Sequence, residues 1–223
     1  DDSADGNVDN IITVQADKTT GINVVYSTTA TDDRSGVQTG PTCSPASGIL
    51  FEIKDTTLSC NATDNAGNSV TETYIIRVLP FIFIALGTAD HPIYQNDFTD
   101  VIVADPAGNT SLNADVITVL LSSDGPPEDG TANAVLTETL DGIFEGKVIF
   151  SEQASTDSTA VLPANLYSGL GTKVQAIYDA PNNRGTSITP LQEVINKIPI
   201  GAASPNYILT LPPLSWNSDA AHI

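Results

Sequence analysis

Thr57-Leu-Ser-Cys-Asn-Ala62, Asp64-Asn-Ala-Gly-Asn68 and Val70-Thr-Glu-Thr-Tyr-Ile-Ile-Arg-Val78 follow one another almost without a break. The first piece is a short strand-like run, and the third alternates, with Val70, Glu72 and Tyr74 interleaved with Thr71 and Thr73, the period of a half-buried strand. The middle piece is a cluster of turn formers, with a glycine available for a positive φ. Together they predict an antiparallel hairpin, and the rest of the chain repeats the pattern. Upstream lie Ile11–Gln15, Ile22–Tyr26 and Ile49–Ile53, and Asp32-Asp-Arg-Ser-Gly36 is a turn signal.

Pro80 punctuates the chain, and a second series of runs follows: Phe81–Leu86, Asp100–Ala104, Val116–Leu121, Ala134–Thr139, Gly146–Phe150 and Thr172–Tyr178. They are separated by Asp105-Pro-Ala-Gly-Asn109, Ser123-Asp-Gly-Pro-Pro127, Asp141-Gly142 and Pro181-Asn-Asn-Arg-Gly185. Short strands divided by Gly, Pro, Asn and Asp clusters predict an all-β fold of two immunoglobulin-like β-sandwiches in tandem. The expected layout is an N-terminal arm at 1–10, a first sandwich at 11–79, a second at 80–189 and a C-terminal extension at 190–223. Only Leu191–Lys197 has helix-like spacing, for one or two turns. Tyr207–Leu211 reads as a further strand.

The chain has 223 residues, with 8 Lys and Arg against 27 Asp and Glu, for a net charge of −19. So few cations argue against nucleic acid and anionic membrane surfaces as partners. A 40% hydrophobic content in β-branched runs argues against disorder throughout. Val78–Leu86, the longest apolar stretch, is too short to span a bilayer and contains Pro80. No methionine begins the sequence, and the N-terminus is read as the product of signal-peptide removal, hence an exported protein.

Cys43 and Cys60 are the only cysteines. One disulfide is the simplest expectation, and two buried free thiols are the alternative. Asn61-Ala-Thr63 and Asn109-Thr-Ser111 are glycosylation sequons.

Catalytic groups are scarce. The only histidines are His91, before Pro92, and His222, next to last; for both, an ordinary exposed side chain is the plainer reading. Glu138 and Glu145 form a carboxylate pair of the kind glycosidases use, but such pairs arise by chance in an acidic chain. The chain is therefore not expected to be an enzyme. Calcium is the better ligand candidate. Asp105, Asn109 and Asp115 offer hard oxygens at one corner, and Asp32, Asp33 and Asp64 offer a second set. The competing reading is Asp capping its own turn. At Asn109 a glycan and a closed calcium site would exclude one another.

Residues 11–79 resemble a hyalin-repeat (HYR) domain, an extracellular immunoglobulin-like module. The matching pieces are Ile12-Thr-Val, Val25-Tyr26, Ala30-Thr-Asp32, Cys43-Ser-Pro-Ala-Ser-Gly48, Phe51 and Thr57–Asn68. That resemblance implies a Cys43–Cys60 bridge. Residues 81–189 resemble a repeated β-domain of large surface proteins of ammonia-oxidising archaea. The match runs through Tyr94 and Asp97, Val101–Asn109, Val116–Val119, Ser122–Asp124, Leu136–Thr139, Gly142–Phe150 and Val174–Asp179. Both resemblances imply structural or adhesive roles without an active site.

The expected function is thus an extracellular structural subunit of a self-assembling filament or surface layer, whose partners are copies of itself. The alternative is a calcium-dependent adhesin or carbohydrate-binding module. Phe81, Ile82, Phe83 and Ile84 form either a core strand or one donated to a neighbour. The same question applies to Tyr207, Ile208, Leu209 and Leu211.

Overall fold

A computed structural model describes residues 10–85, 93–125, 130–159, 162–182 and 184–195. Residues 1–9 of the arm, both histidines, Trp216 and the expected Tyr207–Leu211 strand lie outside the described residues. No helix occurs among those described, and the all-β sandwich organisation read from the sequence is what the structure shows.

The hairpin on which the sequence turned is β5 (Asp55–Asp64) and β6 (Ser69–Leu79), antiparallel in continuous register from Asp55 opposite Arg77 to Thr63 opposite Ser69. β1 (Ile11–Gln15) adds to β6 in parallel, and β3 (Val37–Ser44) adds to β5. A two-stranded sheet of β2 (Ile22–Asn23) and β4 (Leu50–Phe51) faces this four-stranded sheet. Period-two alternation points Leu58, Cys60, Ile76 and Val78 inward, where they meet Phe51 and Ile53. β3 escaped the sequence reading because Val37-Gln-Thr-Gly-Pro-Thr-Cys-Ser44 is polar and mostly exposed; pairing with β5, not burial, makes it a strand.

Pro80 alone separates β6 from β7 (Phe81–Ile84), the first strand of a ten-stranded sheet. The others are β8 (Ile93–Tyr94), β9 (Phe98–Ala104), β10 (Val116–Ser123), β11 (Thr131–Leu140), β12 (Ile143–Ser151), β13 (Ala164–Tyr167), β14 (Lys173–Ala180), β15 (Gly185–Ile188) and β16 (Gln192–Ile195). The main path runs β7-β9-β12-β11-β10-β14-β16-β8, with β13 on β12 and β15 on β14. Its concave face encloses the second core, which includes Ile84, Val101, Val103, Phe144, Phe150 and Leu166.

Leu191–Lys197 is a correction. Within the described part, Leu191–Ile195, Gln192–Ile195 is a strand: Gln192 and Val194 are buried while Glu193 is exposed, a period of two. Pairing with β14 and β8 overrides the helical spacing. The second sheet thus extends past residue 189.

The two cores touch. Val103 belongs to the second core, whereas its neighbour Ala104 points into the first. Ala104 lies opposite both Phe81 and Ile143, and all three pack on the first core. At Gly185 (φ +119) an added Cβ would lie 2.8 Å from Leu79 Cδ2, so the β14–β15 turn needs a glycine to approach β6.

Candidate functional site

The acidic turns of the first unit come together at one end. Asp32 and Asp64 both line a shallow concavity with Val37, Asn68 and Val70. Each carboxylate is occupied by its own turn. Asp32 Oδ1 accepts from the backbone N–H groups of Arg34 (3.1 Å), Ser35 (2.6 Å) and Gly36 (2.6 Å). Asp64 Oδ1 accepts from the N–H groups of Ala66 and Asn68, and its Oδ2 from the Asn68 side chain. Hydrogen bonds to the ionised form hold both below the usual carboxylate value, led by the Gly36 N–H for Asp32 and the Asn68 side chain for Asp64. Asp33 is exposed on the same turn as Asp32.

The second acidic set is dispersed. Asp105 is fully buried, and its Oδ2 accepts from Tyr178 Oη (2.9 Å) and pairs with the Arg184 guanidinium (2.5 Å). Asn109 instead donates from Nδ2 to Asp141. Asp115 caps the preceding turn, accepting at Oδ2 from the N–H groups of Thr110 and Ser111. These bonds, the Thr110 N–H first, lower its pKa. Asp105, Asn109 and Asp115 thus face three different sets of partners. Among the described residues no group of three or more His, Cys, Asp or Glu is placed to hold a metal ion.

Glu138 and Glu145 fall on opposite faces of the sheet. Glu138 stands opposite Phe144, a core residue, whereas Glu145 stands opposite Thr137. Glu138 accepts from the N–H groups of Asp115 and Gly142, which fixes the hairpin turn.

Cys43 and Cys60 are joined by a disulfide between directly opposed residues of β3 and β5. Both sequon asparagines have engaged amides. Asn61 Nδ2 donates to Val70 O and Thr71 Oγ1 in the middle of the sheet, and Asn109 is held by Asp141. Phe81–Ile84 pairs with β9, and Ile82 and Ile84 are buried in the chain's own core.

Two groups that the sequence did not single out, Gln15 and Ser187, tie the units together, and a third, Arg184, pairs with Asp105 inside the second. Ser187 Oγ donates to Pro80 O (2.7 Å) from β15. No local motif announces any of them. The only available hint is that Arg184 is one of very few cations in an acidic chain.

No protein-family model matches the chain, and no curated protein matches it. No helix among the described residues is long and apolar enough to cross a membrane.

Proposed function

We propose that the chain is an extracellular structural subunit of a self-assembling cell-surface filament or surface layer, of archaeal type. The observation that carries this reading is the junction. Two β-units are joined through Pro80 alone and tied again by Ser187 to Pro80 and by Gln15 to Ile188. Such a body suits load-bearing repetition. The carboxylates are distributed over turns, where they accept backbone hydrogen bonds, rather than gathered around a cleft. The resemblance of residues 11–79 and 81–189 to surface modules supports the same reading, through the motifs quoted above.

Charge sets the conditions of assembly. Copies carrying −19 each repel until salt shortens the screening length to about 10 Å at 0.1 M, or divalent cations bridge them. Exposed acids such as Asp33 suit calcium shared between copies, each copy supplying part of the six to eight oxygens. The test is electron microscopy with light scattering over rising NaCl, rising CaCl2 and added chelator. Polymers that appear with salt or calcium are expected. A monomer that persists at high concentration in every condition overturns the reading.

A glycan-binding role is the second reading. It is favoured by Phe98, an aromatic ring 58% exposed in the same groove as Glu145 and Lys147.

A further inference from the structure

β11 and β12 run side by side only near their hairpin, where Thr137 faces Glu145 and Glu138 faces Phe144. Beyond Gly146 they part. β12 pairs instead with β13, Val148 to Ser151 against Ala164 to Tyr167. The freed backbone of β11 is met by a loop. Asn133 N donates to Asp157 Oδ1 (2.7 Å), Ser158 N to Asn133 O (2.8 Å) and Val135 N to Ser158 Oγ (3.1 Å). At the parting lies an open groove lined by Phe98, Val135, Gly146, Leu162 and Pro163.

Its apolar side chains face solvent: Phe98 is 58%, Leu162 63% and Val135 41% exposed. The charges along it leave a net negative one. Lys147 is paired to Asp100 at 2.8 Å, and Glu145 is the other ionised group in the lining. In a chain of net charge −19, an apolar groove of this kind attracts a partner that brings apolar side chains and no anions.

The chain contains one long stretch of that chemistry. Between Glu193 and Asp219 there is no acidic residue, and Lys197 is the only base. The stretch holds Tyr207-Ile-Leu-Thr-Leu211, with Leu214 and Trp216 after it. Pro205, Pro212 and Pro213 bias their predecessors towards extended backbone, the form in which alternate side chains reach a groove. Two acidic bodies repel, so an acid-free segment is the part of one copy that approaches another at least electrostatic cost. The other candidate donor, Phe81–Ile84, is already paired inside its own sheet.

We propose that the groove between Phe98 and Leu162 receives the Tyr207–Leu211 segment of a neighbouring copy. This rests on the self-assembly reading above and names its contact.

The experiment uses full-length chains. A Phe98→Cys copy is mixed with a Leu209→Cys copy under assembling conditions with mild oxidation, and Val70→Cys, exposed on the first unit, replaces Phe98→Cys as control. A disulfide-linked pair about tenfold above the control is expected, suppressed by a synthetic peptide of residues 204–217. Phe98→Ser and Leu162→Ser, both at exposed positions, should each raise the concentration needed for assembly by about tenfold.

If wild type and both serine variants polymerise alike and the cross-link stays at control level, the groove contact is overturned while the assembly reading stands. If the chain stays monomeric in all conditions, both fall. A cross-link confined to single chains of a Phe98→Cys/Leu209→Cys double variant also overturns the contact between copies. Glycan-array binding that Phe98→Ser abolishes, with no cross-link, assigns the groove to a sugar instead and overturns the proposal.

Discussion

The side chain of Gln15 pairs with the backbone of Ile188 as a strand would. Its Nε2 donates to Ile188 O at 3.1 Å, and its Oε1 accepts from Ile188 N at 3.0 Å. A primary amide carries a donor and an acceptor on one carbon, the same pair a peptide unit offers to a ladder. Gln15 ends β1 of the first unit and Ile188 ends β15 of the second, so this one amide bridges them where no strand of the described residues does.

Gln15→Ala should therefore loosen the junction without harming either core. Two hydrogen bonds of about 1 kcal/mol each are lost, moderated because both groups can then reach water. Gln15→Glu keeps the length but loses the donor and sets a carboxylate against Ile188 O. Amide hydrogen exchange at Ile188 should speed up most in Gln15→Ala, which removes the acceptor of its N–H, and less in Gln15→Glu, which keeps an oxygen there. Unchanged exchange would show that the pair bears no load.

Arg184→Ala should be more damaging. It leaves the buried Asp105 carboxylate with Tyr178 Oη and the Ala107 N–H as its partners among the described residues. Breaking such a pair from one side costs about 3 kcal/mol. The double variant Asp105→Asn/Arg184→Leu removes both charges and should recover part of that loss in urea unfolding. Equal losses in the single and double variants would contradict this account.

Tyr178 should make the fold sensitive to alkali. Burial, then the neighbouring Asp105 carboxylate, raises its pKa well above the ordinary 10.0. In the folded state the phenol stays protonated, whereas the unfolded chain ionises it above that ordinary value. Stability is therefore unaffected by Tyr178 at neutral pH and falls as pH rises past 10.0, by about 1.4 kcal/mol per pH unit. Tyr178→Phe should flatten this slope in urea midpoints measured from about pH 9 to 11. Phenolate absorbance should likewise rise in at least two stages, with Tyr178 ionising only on unfolding.

Reduction of Cys43–Cys60 should weaken the first unit selectively. The bridge closes a loop with a sequence separation of 17, worth about 3 kcal/mol in the chain-entropy account. Calorimetry with and without reductant should lower or split the transition of the first core, and Cys43→Ala/Cys60→Ala should reproduce it. A transition unmoved by reduction would show that the β3–β5 pairing stands without its cross-link.

Much of the strand content was legible because it is written locally. Thr57–Val78 alternates over two runs around Asp64–Asn68, and that pattern alone yields β5, its turn and β6. Val101 and Val103 are legible as core for the same reason. β3 and β16 were not, because their own residues do not carry the signal. β3 is a polar strand held by its partner, and β16 has four described residues whose state is set by the strands on either side. The Asp-rich turns were legible as turns. Which oxygens remain available for another ligand was not, since it depends on where each N–H of the loop points.

Sequence by itself determined the alternation, the turns and the β-branched runs, because backbone sterics and period-two burial act over a few residues. It also determined the acidity, with the acid-free interval from Val194 to Ser218 as its exception. Tertiary structure decided the rest. It brought Arg184 to Asp105 across 79 positions and Gln15 to Ile188 across 173. It also parted β12 from β11 beyond Gly146, which left Phe98 and Leu162 facing solvent along one groove. Contacts between distant residues follow from how whole sheets pack and curl, and no short stretch of chain encodes that.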